Sequence, residues 1–308
     1  MNPLFLGTVR VALAAVIFTL AGNAFAEEGW LVSFEKAKEQ AAKEGKPILM
    51  EFTGSDWCPP CKALHKNVLV KDVFKKEMPK HFVLLKLDNP SDKGEQTLEE
   101  IDQYKKLSKE YKITGVPSIL LSDKEGKVFY RTSGYGGQAA KVWVDDMVAK
   151  TAIPDALEDA TGAKGLERAK LLDKALSLMG STAAAQRKED INEIITLDSK
   201  NKAGLKAKYE GILTATEIKD SLQAIMRDRG AKPDDMIAKV DKLIKDKSPK
   251  GEALQEVLFM KSNLYFRGKK MEKAEALLRE AMKIAPDSKT GKRIPGILER
   301  FFPKKNAS

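Results

Sequence analysis

The chain contains two cysteines, Cys58 and Cys61, and only Pro59 and Pro60 lie between them. Two cysteines at this spacing at the start of a helix can form a redox-active disulfide, bind a metal ion or carry covalently attached haem. Haem attachment requires a histidine directly after the second cysteine, whereas this position is Lys62. The cysteines therefore indicate either redox chemistry or metal binding.

A metal site built on this pair would need further ligands, because a structural zinc ion takes four. His65 lies one turn beyond Cys61 and could supply a third ligand. The only other histidine is His81, and there is no second cysteine pair. The ligand count therefore favours redox chemistry and predicts no metal, with a metal chaperone that uses the two cysteines as the alternative.

The redox interpretation places Cys58 at, or just before, the first turn of a helix. Unpaired backbone N–H groups and the positive end of the helix dipole stabilise a thiolate there, so Cys58 is predicted to be the attacking sulfur. Cys61, one turn further in and more shielded, is predicted to resolve the mixed disulfide. Pro59 and Pro60 stiffen the turn at positions where no helical hydrogen bond is lost.

Alternating strands and helices must position this turn. Apolar spacing predicts, in chain order, a helix over 33–43, a strand over 48–52, a helix over 62–69, a strand over 82–87 and a helix over 97–111. Strands that alternate with helices indicate a largely parallel sheet. Two short strands over 118–121 and 128–131 then form an antiparallel hairpin, and a helix over 139–150 closes the unit.

The sequence FTGSDWCPPCK at 52–62, followed by Gly115-Val116-Pro117, resembles a secreted bacterial member of the thioredoxin-like family. The resemblance covers residues 27–153 and implies an α/β fold with a central mixed sheet flanked by helices. It also implies that the Cys58–Cys61 disulfide is the redox group and that no other cofactor is needed.

The resemblance further implies four substrate-binding residues around the disulfide. Trp57 would pack beside the disulfide, and Pro117 would be a cis-proline that faces it. Val116 would offer backbone hydrogen bonds to a bound peptide, and Gly134 would leave room for that peptide.

The sequence departs from the family pattern at two places. The family commonly has a buried aspartate six residues before the first cysteine, where it accepts a proton from the inner thiol; here Glu51 stands seven residues before. Glu51 is therefore predicted to be the third catalytic residue, with a solvated strand-end residue as the alternative, and Lys86 is a candidate partner. Pro59 and Pro60 replace the usual Gly-Pro, and such residues tune the reduction potential.

Beyond residue 154 the sequence shows helical spacing only. The predicted helices cover 164–179, 186–197, 203–228, 234–246, 252–267 and 270–285. Ala274, Leu278 and Ala281 precede Pro286 at a spacing that resembles one tetratricopeptide helix pair. We therefore predict a thioredoxin-like domain over 27–153 and an all-α, partly tetratricopeptide-like domain over 154–308.

The first 26 residues are typical of a cleaved export signal. Arg10 is their only charged side chain, an apolar run covers residues 11–20, and Ala24-Phe25-Ala26 offers a cleavage site. The run is shorter than the roughly 20 residues that span a bilayer. We therefore predict a signal peptide over 1–26 and a periplasmic mature protein that does not span the membrane.

The 308 residues are 43% hydrophobic and 32% charged, which excludes a wholly disordered or fibrous protein. With only two cysteines, three positions apart, the chain is not a small fold stabilised by a framework of disulfides. The net charge is +10, and its excess in the second half comes from residues 261–308, with 13 basic and five acidic side chains. An exported protein rarely meets nucleic acid, so this end is predicted to be a solvated face or a docking surface for an acidic protein.

These observations favour a periplasmic thiol–disulfide oxidoreductase that acts on protein disulfides or dithiols and exchanges electrons with an upstream redox partner. Reduction is favoured over oxidation, because no histidine between the cysteines stabilises the reduced form. The alternative from another class is a helical-repeat scaffold whose thioredoxin-like domain is a binding module with a dispensable disulfide.

Overall fold

The computed structural model describes residues 29–94, 96–228 and 230–303. The predicted signal peptide over 1–26 therefore lies outside the described residues. Within them, no helix combines the length and the apolar composition needed to cross a membrane.

A five-stranded mixed sheet forms the centre of the first half, in the order β1-β3-β2-β4-β5. The strands are β1 Trp30–Leu31, β2 Ile48–Thr53, β3 Val83–Asp88, β4 Ser118–Ser122 and β5 Val128–Ser133. β1, β3 and β2 are mutually parallel, whereas β4 is antiparallel to β2 and β5 is antiparallel to β4. The expected mixed sheet is confirmed: β4 runs opposite to the other strands, and the hairpin after it turns β5 back to the direction of β2.

Helices cover both faces of this sheet. They are α1 Phe34–Glu44, α2 Pro59–Leu64 with a π-helical continuation His65–Leu69, α3 Asp72–His81, α4 Leu98–Glu110 and α5 Ala140–Ala149. Side chains alternate between the two faces along β2. Met50 and Phe52 pack with α1 and α4, whereas Leu49 packs with α2, α3 and α5. Each face thus has its own apolar core.

The ends of α1 and α4 follow from local side-chain chemistry. The Ser33 hydroxyl accepts a hydrogen bond from the Lys36 N–H at 3.4 Å, and α1 ends at Gly45 with a φ of 66°. Thr97 and Glu100 form a reciprocal capping box at the start of α4. These caps fix both ends of α1 and the start of α4.

The second half is helical, as predicted. A short 3₁₀ turn Lys150–Ala152 leads into α6 Ile153–Thr161, α7 Gly165–Met179, α8 Ser181–Ala184, α9 Lys188–Leu197, α10 Leu205–Arg227, α11 Pro233–Lys247, α12 Gly251–Arg267, α13 Met271–Ile284 and α14 Lys289–Phe301. In the predicted tetratricopeptide-like pair, α12 packs against α13, and Ala274, Leu278 and Ala281 are buried between neighbouring helices. Membership of that repeat class stays a prediction.

One apolar cluster extends from the sheet into the helical half. It includes Tyr130, Trp143 and Ile153 up to the predicted boundary together with Leu172 and Tyr209 beyond it. The proposed domain boundary at residue 153 therefore falls inside a continuous core. The first helices of the second half are packed on the sheet rather than tethered to it.

Candidate active site

The two cysteines form a disulfide at the start of α2, directly after the loop that leaves β2. Cys58 is the N-cap residue, and Pro59 and Pro60 occupy the first helical positions. The backbone N–H of Cys61 donates a hydrogen bond to Cys58 Sγ at 3.2 Å. A thiolate at Cys58 would accept this bond as a charge-assisted one, which stabilises the reactive form of that sulfur.

The two cysteines are equally buried, each with 2% exposure, whereas the sequence predicted a more shielded Cys61. The reason lies in the loop before β4. The carbonyl oxygen of Val116 lies 3.5 Å from Cys58 Sγ and covers it. A partner that reaches Cys58 must therefore contact this loop.

The Val116–Pro117 peptide bond in this loop is cis, as the resemblance implied. The Gly134 N–H donates to the Pro117 carbonyl oxygen at 2.8 Å, which joins the end of β5 to the start of β4. Gly134 has a φ of 78°, and a Cβ built on it meets nothing within 4 Å. Val116, Pro117 and Gly134 thus lie together beside Cys58, with open space next to the glycine.

Trp57 precedes Cys58 and is 49% exposed. Its indole lies against Gly54, where an added Cβ would overlap the ring. The Trp57 Nε1–H donates to the carbonyl oxygen of Asn89 at 2.8 Å. The ring is therefore held in one orientation with half of its surface exposed, and its predicted packing beside the disulfide stays a prediction.

The sequence reasoning missed Asp56, which joins the segment before Cys58 to the loop after β3. Its carboxylate accepts hydrogen bonds from the Ser91 N–H at 2.9 and 3.0 Å and from the Asp92 N–H at 3.4 Å. The Ser91 bond is the main reason that the pKa of Asp56 is lowered. The available signal was a carboxylate beside the cysteines and a polar loop, Asn-Pro-Ser-Asp, at 89–92.

Glu51 lies in the middle of β2 with 2% exposure, so the alternative of a solvated strand-end residue is wrong. Strand alternation places it on the same face as Leu49, which is the face covered by α2 and therefore by the helix of Cys61. Lys86 is its register partner in β3 and lies on the same face. The position suits the predicted proton acceptor, whose catalytic role stays a prediction.

In the part of the chain that the structure describes, no group of three or more histidine, cysteine, aspartate or glutamate side chains is placed to hold a metal ion. The third ligand considered for such a site, His65, begins the π-helical continuation of α2.

Comparison with known proteins finds relatives of the first half. A family model described as a thioredoxin-like domain matches residues 34–143. The disulfide bond reductase DsbH of Chlamydia pneumoniae is 36% identical over 112 residues, which cover 36% of this chain and 66% of the relative. The thioredoxin-related protein DsbJ of the same organism is 28% identical over 110 residues, which cover 35% of this chain and 31% of the relative.

A solved structure of a DsbH oxidoreductase is 26% identical with a TM-score of 0.35, and the match covers 41% of this chain and 90% of that one. In the sequence comparison, the matched segment spans just under two thirds of the curated DsbH and about a third of DsbJ. The family model ends at residue 143, before the helical half begins. Residues 34–143 thus form a thioredoxin-like domain.

Proposed function

We propose that this protein is a thiol–disulfide oxidoreductase that acts on protein substrates outside the cytoplasm. The observation that carries the proposal is the hydrogen bond from the Cys61 N–H to Cys58 Sγ, beside the cis-proline loop at Val116. This hydrogen bond would stabilise a thiolate at Cys58, and the Val116 backbone beside that sulfur supports binding of an extended substrate peptide.

In the reducing direction, the Cys58 thiolate attacks one sulfur of a substrate disulfide. A bond forms between the two proteins, and the other substrate sulfur leaves as a thiolate that takes up a proton. Glu51 accepts the proton of the Cys61 thiol, and the Cys61 thiolate then attacks Cys58 Sγ. This step releases the second substrate thiolate and leaves the Cys58–Cys61 disulfide, so two electrons have passed to the substrate.

Two observations support reduction as the physiological direction. No histidine lies between the cysteines to stabilise the reduced form. The relative that is 36% identical is a disulfide bond reductase. An upstream dithiol partner must then return two electrons to the Cys58–Cys61 disulfide after each cycle.

The Cys61→Ser variant tests the nucleophile and the resolving residue together. Without Cys61, the mixed disulfide at Cys58 cannot be resolved, so we expect covalent complexes that disappear on addition of dithiothreitol. These complexes are measured by non-reducing electrophoresis and mass spectrometry after expression of the full sequence with its predicted signal peptide. The Cys58→Ser variant is the matched control and should trap nothing. Absence of complexes in both variants, with retained binding of partners, would instead identify a scaffold.

The reduction potential of the Cys58–Cys61 pair tests the direction. Equilibration with glutathione buffers should give a value near about −270 mV for a reductant, as in thioredoxin. A value near about −120 mV, as in strongly oxidising proteins, would reverse the proposed direction.

A further inference from the structure

A groove of about 570 Å³ lies between the sheet and the helical half. One wall is formed by the outer strand β5 and by residues 112–114, and the opposite wall by residues 179–183, which include most of α8. Most of the lining side chains are polar or charged, among them Thr132, Thr182 and Gln186. This groove is therefore a polar cleft built by both halves.

One end of the groove lies next to the cis-proline loop. Ser118 and Ser133 line it and are the chain neighbours of Pro117 and Gly134, respectively. The Ser133 hydroxyl donates to the Pro117 carbonyl oxygen at 3.3 Å, so the mouth of the groove is fixed to the cis-proline loop. A polypeptide that lies against this loop can continue directly into the groove.

The outer edge of β5 supplies backbone groups inside the groove. Among the described strands β5 pairs only with β4, so no strand occupies its other edge, which faces α8 across the groove. The N–H of Gly134 points inward to Pro117, and alternation along an antiparallel strand turns the backbone groups of Arg131 and Ser133 outward. An extended peptide can pair with such an edge.

The charge of the groove indicates which peptides it suits. Lys112, Arg131 and Lys150 are its cations, and Asp146 is the only carboxylate among its described lining residues. Lys150 donates to Asp146 at 2.6 Å, so this pair is neutral. Lys112 and Arg131 leave the wall beside the outer edge of β5 positively charged, which favours acidic side chains.

We propose that this groove binds the extended substrate segment next to the reactive cysteine and selects acidic sequences. The helical half thereby acts as the second wall of the substrate site. This inference rests on the proposed oxidoreductase function, because the segment enters the groove from Cys58.

The test compares the rates at which the reduced full-length protein reduces three disulfide substrates. Two are synthetic peptides dimerised through a central cysteine, one with aspartate and glutamate flanks and one with lysine flanks. The third is hydroxyethyl disulfide, which is too small to reach the groove from Cys58. We expect the acidic peptide to be reduced roughly tenfold faster than the basic one, measured as kcat/KM by chromatography.

Two variants alter the groove without touching the disulfide. Lys112→Glu should remove the preference for the acidic peptide, and Thr182→Trp should fill the cleft and slow both peptides roughly tenfold. The matched controls are Lys124→Glu in the hairpin turn and Thr196→Trp on α9, both at exposed residues that do not line the groove. All four variants should reduce hydroxyethyl disulfide at the wild-type rate.

Equal rates for both peptides, or an unchanged peptide rate in Thr182→Trp, would overturn the proposed substrate-binding role of the groove. The oxidoreductase function would remain intact. Failure of the wild-type protein to reduce hydroxyethyl disulfide would instead overturn the oxidoreductase function itself.

Discussion

The carboxylate of Asp56 joins two loops that lie 35 positions apart in the chain. It accepts the Ser91 N–H, while the neighbouring Trp57 indole donates to Asn89. The same short segment, which ends at Cys58, is thereby held at two points on the loop after β3. We interpret Asp56 as a positioning residue that fixes the segment carrying Trp57 and Cys58.

Replacing Asp56 by alanine should free this loop. We expect the hydrogen-exchange protection of the Ser91 amide to fall roughly tenfold or more, because its acceptor is lost. The pKa of Asp56 is lowered from 3.8, mainly by the Ser91 hydrogen bond, so the ionised form is favoured in the folded protein. The protection should therefore persist at neutral pH and be lost only as the pH falls through this lowered pKa.

Asp92→Ala is the matched control, because the Asp92 carboxylate accepts the Gly94 N–H and not that of Ser91. Equal protection of Ser91 in the wild type and in Asp56→Ala would contradict the positioning role.

At the scale of elements, the sequence predicted β2 to β5 and most of the longer helices, whose apolar runs are unbroken. It missed α3, where Pro79 interrupts the last turn, although Phe74 and Met78 are spaced for one buried face. It also missed α14, which contains Pro295 and glycines that normally indicate a loop. These helices form because tertiary packing outweighs local propensity.

Gly291 shows what that packing requires. It lies in the first turns of α14, and a Cβ added there would overlap the backbone carbonyl oxygens of Ala285 and Pro286. We expect Gly291→Ala to lower the free energy of unfolding by about 1–3 kcal/mol, measured by urea titration, because the backbone must move apart.

Gly296 provides the control in the same helix, since a Cβ there meets nothing within 4 Å. Gly296→Ala should stabilise the protein by about 0.5–1 kcal/mol, because alanine is the better helix former. A change in the free energy of unfolding in the same direction for both substitutions would contradict the close approach at Gly291.

At the scale of the whole molecule, the position of the cysteines and of Pro117 was predictable because each is identified by its immediate neighbours. The contact of Asp56 with Ser91 and the groove beside β5 could not be predicted from the sequence. Both depend on which chain segments the sheet order and the helical half bring together, and no local pattern records this. The continuous core around Ile153 likewise depends on which segments the fold brings together.

That core predicts mechanical coupling between the two halves. Leu172 of α7 and Leu278 of α13 are matched probes, since both are 3% exposed, but only Leu172 belongs to the cluster that contains Tyr130 and Trp143. Each substitution by alanine should cost about 2–5 kcal/mol at its own site because it leaves a cavity. Only Leu172→Ala should also raise hydrogen exchange in β5, measured on the full chain by mass spectrometry. Equal exchange of β5 in the two variants would mean that the halves open independently, and the wall that α8 gives to the groove would then be free to move away from the sheet.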